Sequence, residues 1–365
     1  MIWAVNNLDF VYEDVDPGVT VAADKIEFFD IFFKMKKCCF IFIYLFSSFL
    51  VLTACETDDD RIIVIDECID VKQDSSSAPK EQTDSLPNIL VPQWALCDSL
   101  RIKKIELYMN HSGVKTSMQG GDTYNGFFFQ FQDKNAHVYI YDLEKKNLLQ
   151  TIDLTPVSMN HCNNASFSRI FYDSHDEFPL LYVSNGNISS YNRVQVYRIT
   201  RADSLFNIDK VQEFVLPDAT KDNYLYATDV VMDNCNNFMY VTSKGETNLI
   251  ETGRVCKYNI PDPHNDGIFA LRESCIIDSF YMPRLEHHQG AMIVGTKMYI
   301  VAGVPHWGTP PELVVVDMEK RKLVQRIDLR DYGYNIEPEA IFLYKDTLYI
   351  SSNRRGVHRV LFDNN

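Results

Sequence analysis

The sequence predicts an all-β protein whose chain folds as a β-propeller, most simply one of five blades. Three observations support this fold class: a hairpin sequence that occurs twice, a short apolar motif that recurs along the chain, and the lack of long windows with apolar residues at helical spacing. Each observation also assigns a part of the chain to a particular element of the propeller.

The repeated hairpin is the strongest of these signals. Residues 141–154 align without gaps to residues 316–329, and eight of the fourteen positions are identical. Each copy has an apolar segment, a charged turn and a second segment that alternates apolar and polar residues. This pattern is typical of a β-hairpin.

A shorter motif recurs with the hairpin. Its copies are Leu181-Tyr182-Val183-Ser184, Met239-Tyr240-Val241-Thr242, Met298-Tyr299-Ile300-Val301 and Leu348-Tyr349-Ile350-Ser351. Their tyrosines are 58, 59 and 50 residues apart, and Phe127-Phe128-Phe129 lies one such step earlier. Five units of about 50–60 residues, each with several short strands, indicate blades that pack around a central channel.

The units divide the chain and leave one strand unpaired. We place them at 118–154, 161–217, 228–283, 288–329 and 337–362. The last unit supplies only three strands, whereas Ile102–Tyr108 alternates and has no partner of its own. We therefore expect Ile102–Tyr108 to pair with Val357–Phe362, which closes the ring and removes an exposed edge. Six blades are the alternative, if 61–100 contributes strands.

Two other all-β folds fit the repeats less well. A β-sandwich would not produce five similar units with near-identical hairpins half a chain apart. A parallel β-helix would have a much shorter period.

The segment 35–54 has the pattern of a bacterial lipoprotein signal. Met35-Lys36-Lys37 precedes an uncharged run that ends in Leu52-Thr53-Ala54-Cys55, which matches a lipobox with Cys55 as the lipidated residue. A transmembrane helix is the alternative, but the 17 uncharged residues from Cys38 to Ala54 are at the short end of what spans a bilayer. The membrane contact we expect is therefore the acylated cysteine.

The signal divides the rest of the chain. Residues 1–34 carry seven acidic residues and two lysines, and this negative net charge is the wrong sign for the start of a signal. We therefore expect that a misassigned start codon added this upstream segment. Residues 55–98 are expected to form an acidic tether and linker, and 99–365 the propeller. The acidic cluster Asp58-Asp59-Asp60 resembles a surface-export signal and predicts display on the outer membrane surface. A solvated tether on the periplasmic face is the alternative.

Charge and cysteine content restrict the partners. The chain carries −15, of which −12 belongs to residues 55–365, and this balance argues against nucleic acid or anionic lipid as a ligand. Six cysteines follow Cys55, and no two have CxxC spacing, which argues against a zinc site of that kind. We expect mostly free, buried thiols, with Cys256 and Cys275 on neighbouring strands as a candidate pair.

Polar residues recur just before the innermost strand of each unit, where a propeller gathers side chains at one channel mouth. The candidate binding residues are His161, Asn163, Asp229, His288, Gln289, Glu337 and Glu339. Imidazoles and carboxylates suit a divalent cation such as calcium, or acid–base chemistry. The structural alternative is that they only satisfy backbone groups of loops. His306-Trp307 is a candidate wall for stacking a ligand.

The phrases Leu313–Met318 (LVVVDM) and Glu337–Ile341 (EPEAI) resemble those of TolB-like and related six-bladed propeller lipoproteins of the bacterial envelope. The resemblance implies a propeller and leaves its activity open, since propellers carry many unrelated functions. The sequence has no GxSxG, P-loop or HExxH motif. We therefore expect a binding or docking module for a protein or an extracellular polymer such as a glycan.

The alternative function is hydrolysis by a channel metal. In a lactonase- or esterase-like enzyme, Asp229, Glu337 and Glu339 would act with His161 or His288.

Overall fold

The structure, a computed structural model, describes residues 91–111, 117–133, 137–154, 161–185, 193–216, 227–243, 252–265 and 268–363, together with the pairs 42–43 and 52–53. The chain divides into two units, Met1–Asp60 and Arg61–Asn365. In the first unit, β1 (Phe42–Ile43) pairs antiparallel with β2 (Leu52–Thr53). The predictions for residues 1–34 and Cys55, and for the tether and linker as far as residue 90, lie outside the described residues. No helix in the described ranges is long and apolar enough to cross a bilayer.

The second unit consists of five blades, each built on four antiparallel strands. Blade 1 contains β4 (Met118–Tyr124), β5 (Phe127–Gln132), β6 (His137–Asp142) and β7 (Asn147–Asp153). Blade 2 contains β8 (Cys162–Phe167), β9 (Leu181–Asn185), β10 (Arg193–Ala202) and β11 (Leu205–Val215). Blade 3 contains β12 (Ala227–Asp233), β13 (Phe238–Ser243), β14 (Thr252–Asn259) and β16 (Asp278–Pro283). Blade 4 contains β17 (His288–Val294), β18 (Lys297–Ala302), β19 (Glu312–Asp317) and β20 (Lys322–Asp328). Blade 5 contains β21 (Pro338–Tyr344), β22 (Thr347–Ser352), β23 (Gly356–Phe362) and β3 (Ile102–Met109).

The innermost strands form a closed ring. Strands β4, β8, β12, β17 and β21 each contact the next one, and β21 contacts β4. Five blades are therefore confirmed, and the six-bladed alternative is wrong.

The ring closes through the chain's N-terminal side, as predicted. Strand β3 pairs antiparallel with β23, from Met109 opposite Val357 to Ile102 opposite Phe362. A one-turn helix, α1 (Gln93–Leu96), precedes it. Trp94 of this helix stacks on Phe362 with ring centroids 4.8 Å apart and donates its indole N–H to the Asp346 carbonyl at 2.8 Å. These contacts hold the closing strand against the last blade.

The repeated sequence forms the third and fourth strands of blades 1 and 4. Both hairpins have a bulge at the same aligned position, between Ile140 and Tyr141 and between Val315 and Val316. The turns also match, since Lys146 and Arg321 have φ of 58° and 54°. A charged turn of closely similar geometry thus follows from the similar sequence.

The hydrophobic core lies in layers between adjacent blades. Phe128 of blade 1 stacks on Phe342 of blade 5 at 4.3 Å, and both side chains are fully buried. Between blades 1 and 2, Phe129, Phe167 and Phe178 pack edge to face. Aromatic side chains suit these layers because the blades splay apart with distance from the channel and large rings fill the space.

Three features were not predicted. Strand β15 (Ile268–Ala270) adds parallel to β11 as a fifth strand of blade 2. Short 3₁₀ helices occur at Glu273–Cys275, Pro305–Trp307 and Leu329–Tyr332. Among the described cysteines, Cys275 is disulfide-bonded, whereas Cys97, Cys162, Cys235 and Cys256 form no disulfide. Mostly free thiols are confirmed there, but the candidate Cys256–Cys275 pair is wrong and only Cys162 and Cys256 are buried.

Candidate functional site

Each inner strand begins with a β-bulge. The register shifts lie between Met118 and Gly121, Cys162 and Asn164, Ala227 and Asp229, His288 and Gly290, and Pro338 and Ala340. A bulge places an extra residue opposite one partner residue and turns its side chain away from the regular alternation. The extra positions fall at 119–120, 163, 228, 289 and 339.

The predicted site residues therefore do not occupy equivalent positions. Glu339 is at the bulge, His288 is one residue before it, and Asp229 is one residue after it. Because successive strand residues face opposite sides, a difference of one position redirects a side chain. The structure sorts the predicted residues into three groups and leaves Glu339 by itself.

The first group joins blades 2, 3 and 4. His288 Nδ1 lies 2.5 Å from Asp229 Oδ2, and Asn163 donates its amide to Asp229 Oδ1 at 2.8 Å. The same amide reaches the His288 carbonyl at 3.2 Å. The Asp229 side chain is fully buried, and only 3% of the His288 side chain is exposed. A buried carboxylate needs such partners, so this group connects three blades.

Asn164 connects the same three blades through backbone groups. Its amide nitrogen donates to the carbonyls of Val230 at 2.9 Å and Ala291 at 3.0 Å. Close approach depends on glycine: a Cβ on Gly120 would lie 2.6 Å from Asn164 Cα. The Asn164 side chain and the backbone groups around it thus fill the channel between the inner strands of blades 2, 3 and 4.

The second group links blades 4 and 5. Glu337 accepts hydrogen bonds from Gln289 Nε2 at 3.1 Å and from Asn353 Nδ2 at 2.9 Å. His306 Nδ1 lies 4.0 Å from Glu337 Oε2, and 62% of the His306 side chain is exposed. Only 14% of the Glu337 side chain is exposed and Gln289 is buried, so His306 is the exposed member of this group.

Glu339 lies inside the channel. It is fully buried, and neither carboxyl oxygen has a hydrogen-bond partner among the described residues. Burial raises the pKa of Glu339 well above its ordinary value, the negative charges of Glu337 and Asp133 raise it further, and the nearby Asn353 amide opposes the shift. Burial likewise raises the pKa of Cys162, with Asp229 and Glu339 adding to the effect.

His161 forms the third group with a residue that the sequence analysis missed. Its Nδ1 lies 2.8 Å from Asp133 Oδ1, and its backbone N–H donates to the Asp133 carbonyl at 2.9 Å. His161 has φ of 63°, in the left-handed region.

The missed residues, Asp133 and Asn353, share a position that the sequence could have revealed. Each directly follows the second strand of its blade. Because the second strand runs antiparallel to the first, its end lies beside the start of the inner strand.

An exposed tryptophan stands at this mouth. Trp307 ends the 3₁₀ helix Pro305–Trp307 and is 68% exposed. Its ring centroid is 5.2 Å from that of His287 and 5.2 Å from that of His306. His287 precedes the inner strand of blade 4, and its Nδ1 lies 3.0 Å from Thr309 Oγ1. The predicted stacking wall is therefore an aromatic surface beside Glu337.

Within the described ranges, no three His, Cys, Asp or Glu side chains are arranged to hold a metal ion.

No protein-family model and no curated protein sequence matches this chain. Solved structures do resemble it. The glutaminyl cyclase of Myxococcus xanthus is 9% identical with a TM-score of 0.44, covering 72% of this chain and 95% of that chain. An oxidoreductase described as a glucose dehydrogenase from Thermus thermophilus is 8% identical with a TM-score of 0.44, covering 72% and 100%.

The β-propeller domain of Myceliophteria thermophila Cps50 (Swd1) is 10% identical with a TM-score of 0.36, covering 73% and 100%. At these identities the likeness concerns the β-propeller architecture and transfers no activity.

Proposed function

We propose that this protein is a lipid-anchored β-propeller that binds an extracellular glycan at the channel mouth of blades 4 and 5. The observation that carries the proposal is Trp307, a large aromatic side chain that is 68% exposed and lies against His306, whose Nδ1 is 4.0 Å from the Glu337 carboxylate. Exposed tryptophans of this kind are enriched at binding surfaces because the ring offers a large, rigid contact area.

The neighbours of Trp307 supply the polar part of such a site. The electron-rich face of an indole attracts the C–H bonds on one face of a pyranose ring. Gln289 and Asn353 donate their amides to Glu337 and hold its partly exposed carboxylate in place, and a carboxylate suits sugar hydroxyls. A few polar groups beside an apolar surface are the usual composition of a ligand site.

We further propose that the propeller is presented at the outer surface of the bacterial outer membrane. This rests on the lipobox that ends in Cys55, the acidic cluster after it and the polar linker before residue 99. Membership of a TolB-like group rests on sequence phrases alone, and five blades differ from the six of that group.

The anchor can be tested by one substitution. Cys55→Ser should leave an unprocessed precursor that incorporates no labelled fatty acid, whereas the unsubstituted chain is labelled. Normal labelling of the variant would refute the anchor.

Hydrolysis is the second candidate function. The Asp229–His288 contact has the arrangement in which a carboxylate orients an imidazole base. We prefer the binding function because this imidazole is almost completely buried and its carboxylate partner also holds Asn163 of another blade.

The binding function is tested by screening the purified full chain against a panel of polysaccharides. Trp307→Ala should reduce the binding affinity by roughly tenfold or more, which is the usual effect of removing an aromatic side chain that becomes buried on binding. Tyr281→Ala is the matched control, because Tyr281 is 60% exposed on the outer strand of blade 3. Equal loss in both variants, or binding of proteins and no glycan, would contradict the proposal.

A further inference from the structure

A cavity of about 450 Å³ lies in blade 5, outside the site described above. It lies between the end of β3 and the turn that joins β22 to β23. The lining residues are Leu107, Asn110, His111, Arg354, Arg355 and His358. None of them is acidic, although the chain as a whole carries −15.

Two arginines give this cavity a positive charge. Arg354 and Arg355 are adjacent and exposed in the turn, and neither forms an ion pair within the part of the chain that the structure describes. Arg354 Nη2 donates to Ser117 Oγ at 3.3 Å, which leaves most of its donors available. By contrast, Arg359 on the adjoining strand pairs with Glu106. Guanidinium groups without a carboxylate partner suit an anionic ligand.

A buried histidine forms another wall of the cavity. His111 is only 5% exposed, and neither ring nitrogen has a hydrogen-bond partner among the described residues. Its ring stacks on Tyr141 of blade 1, with centroids 5.5 Å apart. Burial, together with His358, lowers the pKa of His111 to about 4, so the ring is neutral at pH 7. A neutral imidazole still has one N–H to donate, and leaving it without an acceptor costs free energy.

The turn is held firmly against β3. Gly356 has φ of 118°, and a Cβ there would lie 2.1 Å from the Met109 carbonyl oxygen. Ser352 Oγ accepts from the Arg355 backbone N–H at 3.1 Å and donates to the Gly356 carbonyl at 2.9 Å. The backbone that carries the two arginines is therefore fixed against the end of β3 before any ligand arrives, so that on this turn only the exposed arginine side chains must be ordered on binding.

We propose that this cavity binds an oxyanion group, a sulfate, phosphate or carboxylate, between the two arginines and the N–H of His111. The group can belong to a free small anion or to an anionic polymer, and the chemistry of recognition is the same. This site is separate from the Trp307 surface, so it stands whether or not a glycan binds there.

The test is calorimetric titration of the purified full chain with sodium sulfate, inorganic phosphate and sodium acetate. We expect saturable binding of at least one anion, weakened by on the order of tenfold in Arg354→Gln/Arg355→Gln. The control is Arg101→Gln/Lys103→Gln, which removes the same charge from exposed positions at the opposite end of blade 5. The control should bind as the unsubstituted chain does.

A second arm distinguishes the two sources of the anion. Dextran sulfate and uncharged dextran are compared in the same titration, and a polymer ligand predicts binding of dextran sulfate alone, lost in Arg354→Gln/Arg355→Gln. His111→Phe keeps the stacking on Tyr141 but removes the N–H, so it should weaken whichever anion binds. Absence of saturable binding by all probes, or equal affinity of the arginine variant and the control, would overturn the proposal.

Discussion

At the scale of single residues, two buried carboxyl groups of the channel have different surroundings. Asp229 is buried with an imidazole and an amide as partners, whereas Glu339 is buried with no hydrogen-bond partner among the described residues. A buried charge without partners is far more costly than a buried neutral acid. The first carboxyl group is therefore satisfied by groups from two other blades, whereas burial raises the pKa of the second, which keeps its proton to a higher pH than an exposed glutamate does.

This difference predicts a pH dependence for Glu339→Gln. Burial raises the pKa of Glu339 above its ordinary value of 4.5, so the folded state binds this proton more tightly than the unfolded state. Its stabilising effect is complete below the unfolded pKa and is lost progressively as pH rises above it. Thermal unfolding of both proteins should be measured from pH 4 to 9. As pH rises, the melting temperature of the glutamine variant should increase relative to that of the unsubstituted chain. Parallel profiles would contradict a raised pKa.

At the scale of elements, the sequence predicted the hairpins and the closing strand but not the bulges. Alternation and charged turns are local, so Tyr141–Leu154 and Val316–Leu329 could be read directly from the chain. A bulge is defined by two residues facing one on another strand, and no local pattern marks it. The candidate residues were therefore assigned to the correct strand starts, but at non-equivalent positions. Asp133 was missed because it follows a second strand rather than preceding an inner one.

Because the turn occurs in blades 1 and 4, equivalent substitutions in the two copies should lower the free energy of unfolding by similar amounts. Asp142 Oδ1 accepts the Lys145 backbone N–H at 2.9 Å, and Asp317 Oδ1 accepts that of Lys320 at 2.8 Å. Burial alone would raise the pKa of each aspartate, but its lysine lowers it overall. Asp142→Ala and Asp317→Ala should each lower the free energy of unfolding by about 1 kcal/mol in urea denaturation.

Glu319→Ala is the control for this prediction, since Glu319 is an exposed residue of the same turn and should change stability by less than about 0.5 kcal/mol. A large cost in only one of the two aspartate variants would show that the turns are not energetically equivalent.

At the scale of the whole molecule, the ring depends on a strand that is more than two hundred residues away from its partner in sequence. Ile102 and Ile105 of β3 are buried against the last blade, and Trp94 packs on Phe362. Closure could be predicted because the last unit lacked a strand and one alternating segment lacked a partner. The addition of β15 to blade 2 could not be predicted, because three residues are too few to show a pattern.

Removing the closing strand tests the ring. A chain that starts at residue 112 loses β3 and α1 and leaves β23 with an unpaired edge. It should aggregate or unfold at a clearly lower temperature than a chain that starts at residue 90, as followed by circular dichroism. Equal melting temperatures would contradict closure by β3.

The central claim is that the buried group of Asn163, Asp229 and His288 holds the blades together, while the exposed Trp307 surface binds the ligand. The most direct test measures both melting temperature and glycan affinity for Asp229→Asn and Trp307→Ala. Asp229→Asn removes the carboxylate acceptor from a buried group that contacts two other blades, and leaving buried polar groups unsatisfied costs about 1–3 kcal/mol, so this variant should melt at a lower temperature by a few degrees. Trp307→Ala should melt like the unsubstituted chain and lose binding. A stable Asp229→Asn protein without affinity, beside a Trp307→Ala protein that binds normally, would contradict the account.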